Sequence, residues 1–195
     1  LILGPYDKVK ECGKEGIIGM KRFAARLQNV DDRWVSYVNQ QWKCHAMDWL
    51  MPRVTHLGGA GFTLLFLAGW WLLIPSPSRN WAMEGFIALA GSHLVVRLGK
   101  ATWHRMRPYL QLSDLNTFPS PLKDYSFPSG HTTAAFSIVM VWILNAPVLA
   151  FVLLPLACAV GLSRMYLGLH YPTDVAVGAW LGSIFAVLAH WWFPH

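Results

Sequence analysis

TTAAFSIVMVWILNAPVLAFVLLPLACAVGLS, residues 132–163, is a run of 32 residues without a charged side chain. As one helix it would be about 48 Å long at ~1.5 Å per residue. A hydrocarbon core takes only about 20 helical residues. Asn145-Ala146-Pro147 divides the run, because proline favours a turn or a helix start over a helix interior. The stretch therefore reads as two membrane spans, 129–145 and 147–163. Two further runs resemble it: 57–74 holds 18 residues with no charge, and 175–193 holds 19 in which only His190 titrates. A fifth segment, 81–100, is interrupted by Glu84, His93 and Arg97. The expected fold is an all-α, polytopic transmembrane helix bundle of five spans.

Composition agrees. Of the 195 residues, 54% are apolar and only 13% are charged, with a mean hydropathy of +0.35. Soluble domains carry roughly a quarter charged residues. A disordered chain is excluded, and a soluble nucleic-acid binder is disfavoured despite the net charge of +6. The 11 tryptophans suit a lipid interface. Cys12, Cys44 and Cys158 are too widely spaced to form a metal-binding pair or a disulfide framework.

Residues 1–53 differ in kind, with nine of the 16 basic and six of the ten acidic residues. Trp34, Val38 and Trp42 recur every fourth residue beside Val35. They predict an amphipathic helix lying in the interface, although a helix packed on protein fits the pattern equally. Residues 1–53 are thus expected as an N-terminal extension and interfacial helix, and 54–195 as the transmembrane domain. Met20-Lys21-Arg22 reads as a natural start, with 1–19 an extension before it.

Five spans put the N-terminal segment and the connections 101–128 and 164–174 on one side. The turns 75–80 and 145–147 and the C-terminus lie on the other. Trp70, Trp71, Trp81, Trp142, Trp191 and Trp192 then fall near that second boundary as an aromatic belt. The polar residues that scaffold does not explain gather on the first side. Continued as a helix at about 100° per residue, His93, Arg97, Lys100, His104 and Arg107 share an arc of about 80°. Arg97 and Arg105 read as snorkelling anchors. A face so crowded with cations calls for an anion, and Lys100 and Arg107 would grip a phosphate. Ser129 and Gly130 open the next span, where free N–H groups and the helix dipole attract anions; His131 stands beside them, placed as acid or base. Arg164 adds a third cation. Asp174, four residues after His170, could accept one ring N–H and free the other nitrogen as a nucleophile.

These residues carry a resemblance. Lys100, six residues, then Arg107-Pro108; Pro128-Ser129-Gly130-His131; and Ser163-Arg164, five residues, His170, three residues, Asp174 form a pattern similar to the tripartite signature of the type-2 phosphatidic acid phosphatase superfamily. Its bacterial members include phosphatidylglycerophosphate and undecaprenyl pyrophosphate phosphatases. The resemblance covers 81–194 and leaves 1–53 unmatched. It implies a metal-independent membrane phosphatase, without cofactor, acting on a lipid phosphate in the bilayer through a phosphohistidine. In that reading His170 is the nucleophile, Asp174 orients it, and His131 protonates the leaving oxygen. Lys100, Arg107, Arg164, Ser129 and Gly130 hold the phosphoryl oxygens. Many relatives have six spans where five are read here.

The basic N-terminal segment alone would place the site in the cytoplasm by the positive-inside rule. The resemblance implies the outer or periplasmic face of a bacterial plasma membrane, and that is the expectation taken. A headgroup-reading role is expected of the 101–128 loop, through Tyr109, Asp114, Asn116 and Lys123. Two other functions fit parts of the pattern: a vanadate-dependent haloperoxidase, against which the membrane spans argue, and a non-catalytic anionic-lipid-binding protein.

Overall fold

The computed structural model describes residues 5–116 and 124–193, with side chains from residue 19 onward; Lys123 lies outside the described residues. Among them there is no strand. The helices are α1 (Pro5–Gln41), α2 (His45–Val54), α3 (Ala60–Leu73), α4 (Asn80–Thr102), α5 (Pro108–Gln111), α6 (Gly130–Asn145), α7 (Ala150–Tyr166) and α8 (Pro172–Trp192). A 3-10 turn, Thr55–Gly58, precedes α3, and another, Pro147–Leu149, leads into α7. The long apolar run is thus broken at Ala146, where proline opens the next element.

By length and apolarity, Pro147–Tyr166 and Pro172–Trp192 can cross a bilayer. The pair His45–Gly58 and Ala60–Leu73, bent by 56°, would make a third span, and Gly130–Asn145 is a shorter apolar helix. Helix α4 has 23 residues but carries Glu84, Arg97 and Lys100.

Helix α6 is the centre, packed against α4, α7 and α8. Leu67, Leu89, Ala134, Ile138, Val141, Trp142 and Ala186 fill the space between them. Two glycines on α8 set the distance to α6. A Cβ on Gly182 would stand 2.5 Å from the Thr133 carbonyl oxygen, and one on Gly178 would stand 2.7 Å from that of Ser129. Small residues four apart let two backbones meet within a membrane, where lipid supplies no hydrophobic drive for helix association. Gly182→Ala is therefore expected to destabilise the protein by ~1–3 kcal/mol through overpacking. Gly69→Ala, where a Cβ meets nothing within 4 Å, serves as the control. Melting in detergent compares the two; an unchanged Gly182→Ala would contradict the close approach.

The end of the bundle far from the α6 N-terminus differs from the expected belt. Trp70, Trp81 and Trp142 pack on one another and on Phe66, with centroids 5.1–6.2 Å apart, and Trp142 is only 4% exposed. Trp191 and Trp192 are the ones that face outward. The inward set plugs the space beside the small residues Gly85 and Ala82. Nearby, the buried Glu84 carboxylate takes His190 Nδ1 at 2.8 Å and Asn145 Nδ2 at 3.1 Å, tying α4, α6 and α8.

Helix α1 forms, but its packed face is not the Trp34–Val38–Trp42 stripe. Asp31, Val35, Val38 and Asn39 are buried, while Trp34 and Trp42 are exposed. Polar anchors choose the face: Asn39 Nδ2 donates to the Tyr166 carbonyl at 2.7 Å, and Asp31 reaches the start of α8. The helix packs on protein, against α7 and α8.

Candidate active site

The N-termini of α6 and α8 and the C-termini of α4 and α7 meet at one end of the bundle. Ser129 caps α6 and is fully buried, its Oγ 2.9 Å from Thr132 Oγ1. Its amide donates to the Asp174 carbonyl at 3.1 Å, which binds the two helix starts together. The first amides of α6 lack intrahelical acceptors by construction. A side chain on Gly130 would meet protein only at 3.8 Å or more, so the bare backbone there leaves room for a ligand. His131 follows. The turn at Gly58 abuts it so closely that a Cβ there would lie 2.4 Å from the His131 carbonyl oxygen. Its ring is within electrostatic range of Arg164, His170, His56 and Arg107.

The three cations converge, although not by the expected path. Helix α4 stops at Thr102, so His104 and Arg107 do not continue the face of Lys100. His104 is exposed, its ring edge-on to Tyr125 with centroids 4.5 Å apart, off the cationic face on which the helical wheel put it. Arg107 reaches the site through an extended segment after α4 and is 1% exposed. It donates to the carbonyls of Leu169 and Asp124 at 2.8 and 2.9 Å. Arg107 Nη2 lies 2.7 Å and Lys100 Nζ 2.9 Å from the two carboxylate oxygens of Asp124. Arg164 comes from the last turn of α7, 3% exposed; its Nη1 donates to Thr55 Oγ1 at 2.7 Å while its Nε has no partner among the described residues. A buried guanidinium donor without an acceptor is costly, and an anion would relieve it.

His170 occupies the turn between α7 and α8, 2% exposed. Its Nε2 lies 3.2 Å from Arg107 Nη1. Arginine only donates, so Nε2 carries the lone pair and Nδ1 the proton. That proton faces Asp174 Oδ2 at 3.6 Å, beyond hydrogen-bond range; such contacts often tighten only when a substrate is bound. Burial, joined by Arg164 and Arg107 and opposed by Asp174, lowers the imidazole pKa to about 3. The ring is thus neutral with its lone pair on Nε2, the form that a nitrogen nucleophile requires.

Asp174 is itself held on all sides. Oδ2 accepts the Tyr171 amide at 2.9 Å and the Ser126 hydroxyl, and Oδ1 accepts Arg105 Nη1 at 2.7 Å. Arg105 is no snorkelling anchor. Its Nη2 binds Asp31 Oδ2 at 2.6 Å and Gln28 Oε1 at 2.8 Å, and its guanidinium lies 4.0 Å from the Tyr171 ring centroid. Burial lowers its pKa, but Asp174 and Asp31 outweigh this and raise it. Asp31 also accepts the Thr173 amide at 3.1 Å and the Thr173 hydroxyl. Arg97, by contrast, is exposed, as an anchor would be.

The sequence reading took Arg105 for an anchor and passed over Asp31, Asp124, Ser126 and Thr55. Arg105 and Asp124 stand within four residues of a signature residue, which was the available signal; Asp31 and Thr55 had none. Of the expected headgroup readers, Asn116 is fastened to α1 through Asn39, its amide donating to Asn39 Oδ1 at 2.8 Å. The Asp114 carbonyl accepts Gln40 Nε2 at 3.1 Å, and the Tyr109 amide donates to the Gly168 carbonyl at 3.2 Å. These contacts lash the described part of the loop to α1 and the turn after α7. Among the described residues no three His, Cys, Asp or Glu side chains gather to hold a metal.

Residues 81–195 match the profile of the PAP2 superfamily. The chain is 33% identical over 133 residues to the bacitracin transport permease protein BcrC of Bacillus licheniformis, covering 68% of this chain and 66% of that one. It is 28% identical over 139 residues to the undecaprenyl-diphosphatase BcrC of Bacillus subtilis, covering 71% and 68%. The crystal structure of Aquifex aeolicus LpxE superposes with a TM-score of 0.72 at 26% identity, over 82% of this chain and 94% of that one. The chain thus spans about two thirds of the length of these curated relatives.

Proposed function

Because the chain belongs to the PAP2 superfamily, we propose that it is an integral membrane lipid phosphatase that cleaves a phosphomonoester or diphosphate lipid through a phosphohistidine. One observation carries the reading: His170, with its Nε2 lone pair turned to Arg107 Nη1 at 3.2 Å, shares one end of the bundle with the start of α6 and with Arg164, whose Nε has no partner among the described residues. Five spans, α3, α4, α6, α7 and α8, belong to this reading, with the site on the outer face of a bacterial plasma membrane.

In the proposed reaction, Nε2 of His170 attacks phosphorus as the bond to the leaving oxygen breaks. His131, which takes up a proton as the phosphate dianion enters among the cations, gives that proton to the leaving oxygen. Lys100, Arg107, Arg164, the Ser129 hydroxyl and the Gly130 amide take the charge of the non-bridging oxygens, the main task in phosphoryl transfer. Asp174 balances the positive ring. Water then attacks the phosphohistidine, neutral His131 takes its proton, the N–P bond breaks, and inorganic phosphate leaves.

The site lies at the ends of the membrane helices, so a lipid would arrive by lateral diffusion with its phosphate already at depth. Part of the entropy of positioning is thereby lost in advance. The relative named as an undecaprenyl-diphosphatase supports a polyprenyl diphosphate; glycerophospholipid monoesters satisfy the same geometry. Phosphate release in mixed micelles tests this. We expect kcat/KM for undecaprenyl diphosphate, phosphatidylglycerophosphate or phosphatidic acid to exceed that for p-nitrophenyl phosphate by about 100-fold or more. His131→Ala should lose more rate with phosphatidylglycerophosphate or phosphatidic acid, whose leaving group is an alcohol, than with p-nitrophenyl phosphate, whose leaving group needs no proton. Equal efficiency on lipid and soluble ester would refute the lipid reading, and peroxidase activity without phosphate release would overturn the phosphatase.

A further inference from the structure

In the free protein the anion grip already holds an anion of its own. Both Asp124 carboxylate oxygens are used, Oδ2 on Lys100 Nζ at 2.9 Å and Oδ1 on Arg107 Nη2 at 2.7 Å. That bridging pattern matches what two non-bridging phosphoryl oxygens would make. The cations do not depend on the carboxylate for their places. Arg107 is also held by the carbonyls of Leu169, Asp124 and Tyr125, and Lys100 by that of Tyr125. The Asp124 side chain is 53% exposed against 2% for Arg107, so it can swing into water without unpacking anything.

Resting on the phosphatase reading, we propose that Asp124 is a specificity-determining residue. It is a tethered carboxylate that fills the Lys100–Arg107 grip until a terminal phosphomonoester or diphosphate displaces it, and it thereby shuts out singly charged phosphodiester headgroups. The membrane makes such a device necessary. Lys100, Arg107 and Arg164 gather at the end of the bundle where, in the lipid phosphatase reading, phosphodiester headgroups abound, and a bare cluster of three cations would be open to them. A diester brings one negative charge, the same as the carboxylate it must replace, and it lacks the tether that gives Asp124 its high effective concentration. A monoester dianion brings two charges and can also engage the free Nε of Arg164. Exchange is then favourable for the dianion alone. The grip favours the ionised carboxylate: burial raises its pKa, but Lys100 and Arg107 outweigh this and hold it at about 2. The latch is therefore charged throughout the working range.

Asp124→Asn keeps the shape and removes the charge; Asp124→Glu keeps the charge. Two readouts are needed. In mixed micelles, phosphatidylglycerol should inhibit phosphate release by Asp124→Asn at about tenfold lower mole fraction than wild type, with Asp124→Glu close to wild type. The change in kcat for a lipid monoester should be smaller than that in the inhibition constant. Separately, inorganic phosphate should raise the melting temperature of Asp124→Asn at about tenfold lower concentration than wild type. Equal inhibition of wild type and Asn variant by phosphatidylglycerol would overturn the proposal. So would weaker phosphate binding by the Asn variant, which would make Asp124 a mere prop for the cations. If wild type releases no phosphate from any lipid, the phosphatase reading falls. The phosphate-binding comparison then still decides for or against the latch.

Discussion

His170→Asn is expected to lower kcat by about 10⁴-fold or more while the protein remains folded, since removing a covalent nucleophile removes the reaction path rather than slowing it. Orthovanadate should still bind, because Lys100, Arg107 and Arg164 are untouched; a folded variant with wild-type turnover would end the assignment. The same substitution has a signature independent of activity. Native His170 has its pKa lowered to about 3, whereas in the unfolded chain a histidine titrates near 6.5. As pH falls below about 6.5 the unfolded state takes up a proton that the native state refuses. The stability linked to His170 is therefore full above that pH and is lost progressively as pH falls toward 3. Between about pH 7 and pH 5 the loss is about 2 kcal/mol. Melting in detergent at these two pH values should show a smaller acid destabilisation for His170→Asn than for wild type. Parallel slopes would mean that the ring is not held neutral.

Arg105→Ala should be the most damaging substitution outside the signature. Asp174 and Asp31 are 0% and 1% exposed, and Arg105 binds both, at 2.7 and 2.6 Å. Removing it leaves two buried carboxylates without their shared cation, a loss of about 3–5 kcal/mol for a broken buried pair. Catalysis should fall as well. With Oδ1 released, Asp174 is steered only through Oδ2, and a misplacement of about 1 Å of a positioning group costs roughly 100-fold in rate. Arg105→Lys restores the charge but not the fork that reaches Asp174, Thr173, Gln28 and Asp31 together, so it should recover less activity than stability. Asp31→Asn, at the far end of the chain of contacts, should lower kcat with little change in KM. An Arg105→Ala protein as stable as wild type would show that the brace from α1 does not act.

The membrane helices were legible because hydropathy and proline act on near neighbours. The run 132–163 parts at Asn145–Pro147 whatever surrounds it, and Pro172 opens α8 as the sequence implies. Composition could not say which way a tryptophan faces. Trp142 and Trp81 were read as an interfacial belt, yet they fill the bundle beside Gly85, because the small residues of neighbouring helices leave that volume open. On α1, the apolar repeat could not say that Val38 packs on protein while Trp34 and Trp42 stay exposed; the buried contacts of Asp31 and Asn39 decide that.

The site divides along the same line. Lys100, Arg107, Ser129, Gly130, His131, Arg164, His170 and Asp174 could be listed from sequence because the signature is three short local patterns, each carried by one helix end or turn. Even there, Arg107 was placed by extending a helix that stops at Thr102, and it reaches the end of the bundle through an extended segment instead. The partners of those groups are tertiary. Asp31 lies 143 positions before Asp174 in the numbering, and nothing local to either marks the Arg105 that joins them. Asp124 acquires its role only because the loop after α5 returns to the end of α4. Hydropathy, turn chemistry and helix starts are properties of a few adjacent residues, and they determined the elements and the signature groups. The pairing of buried charges depends on where those elements cross, and the tertiary structure alone decided it.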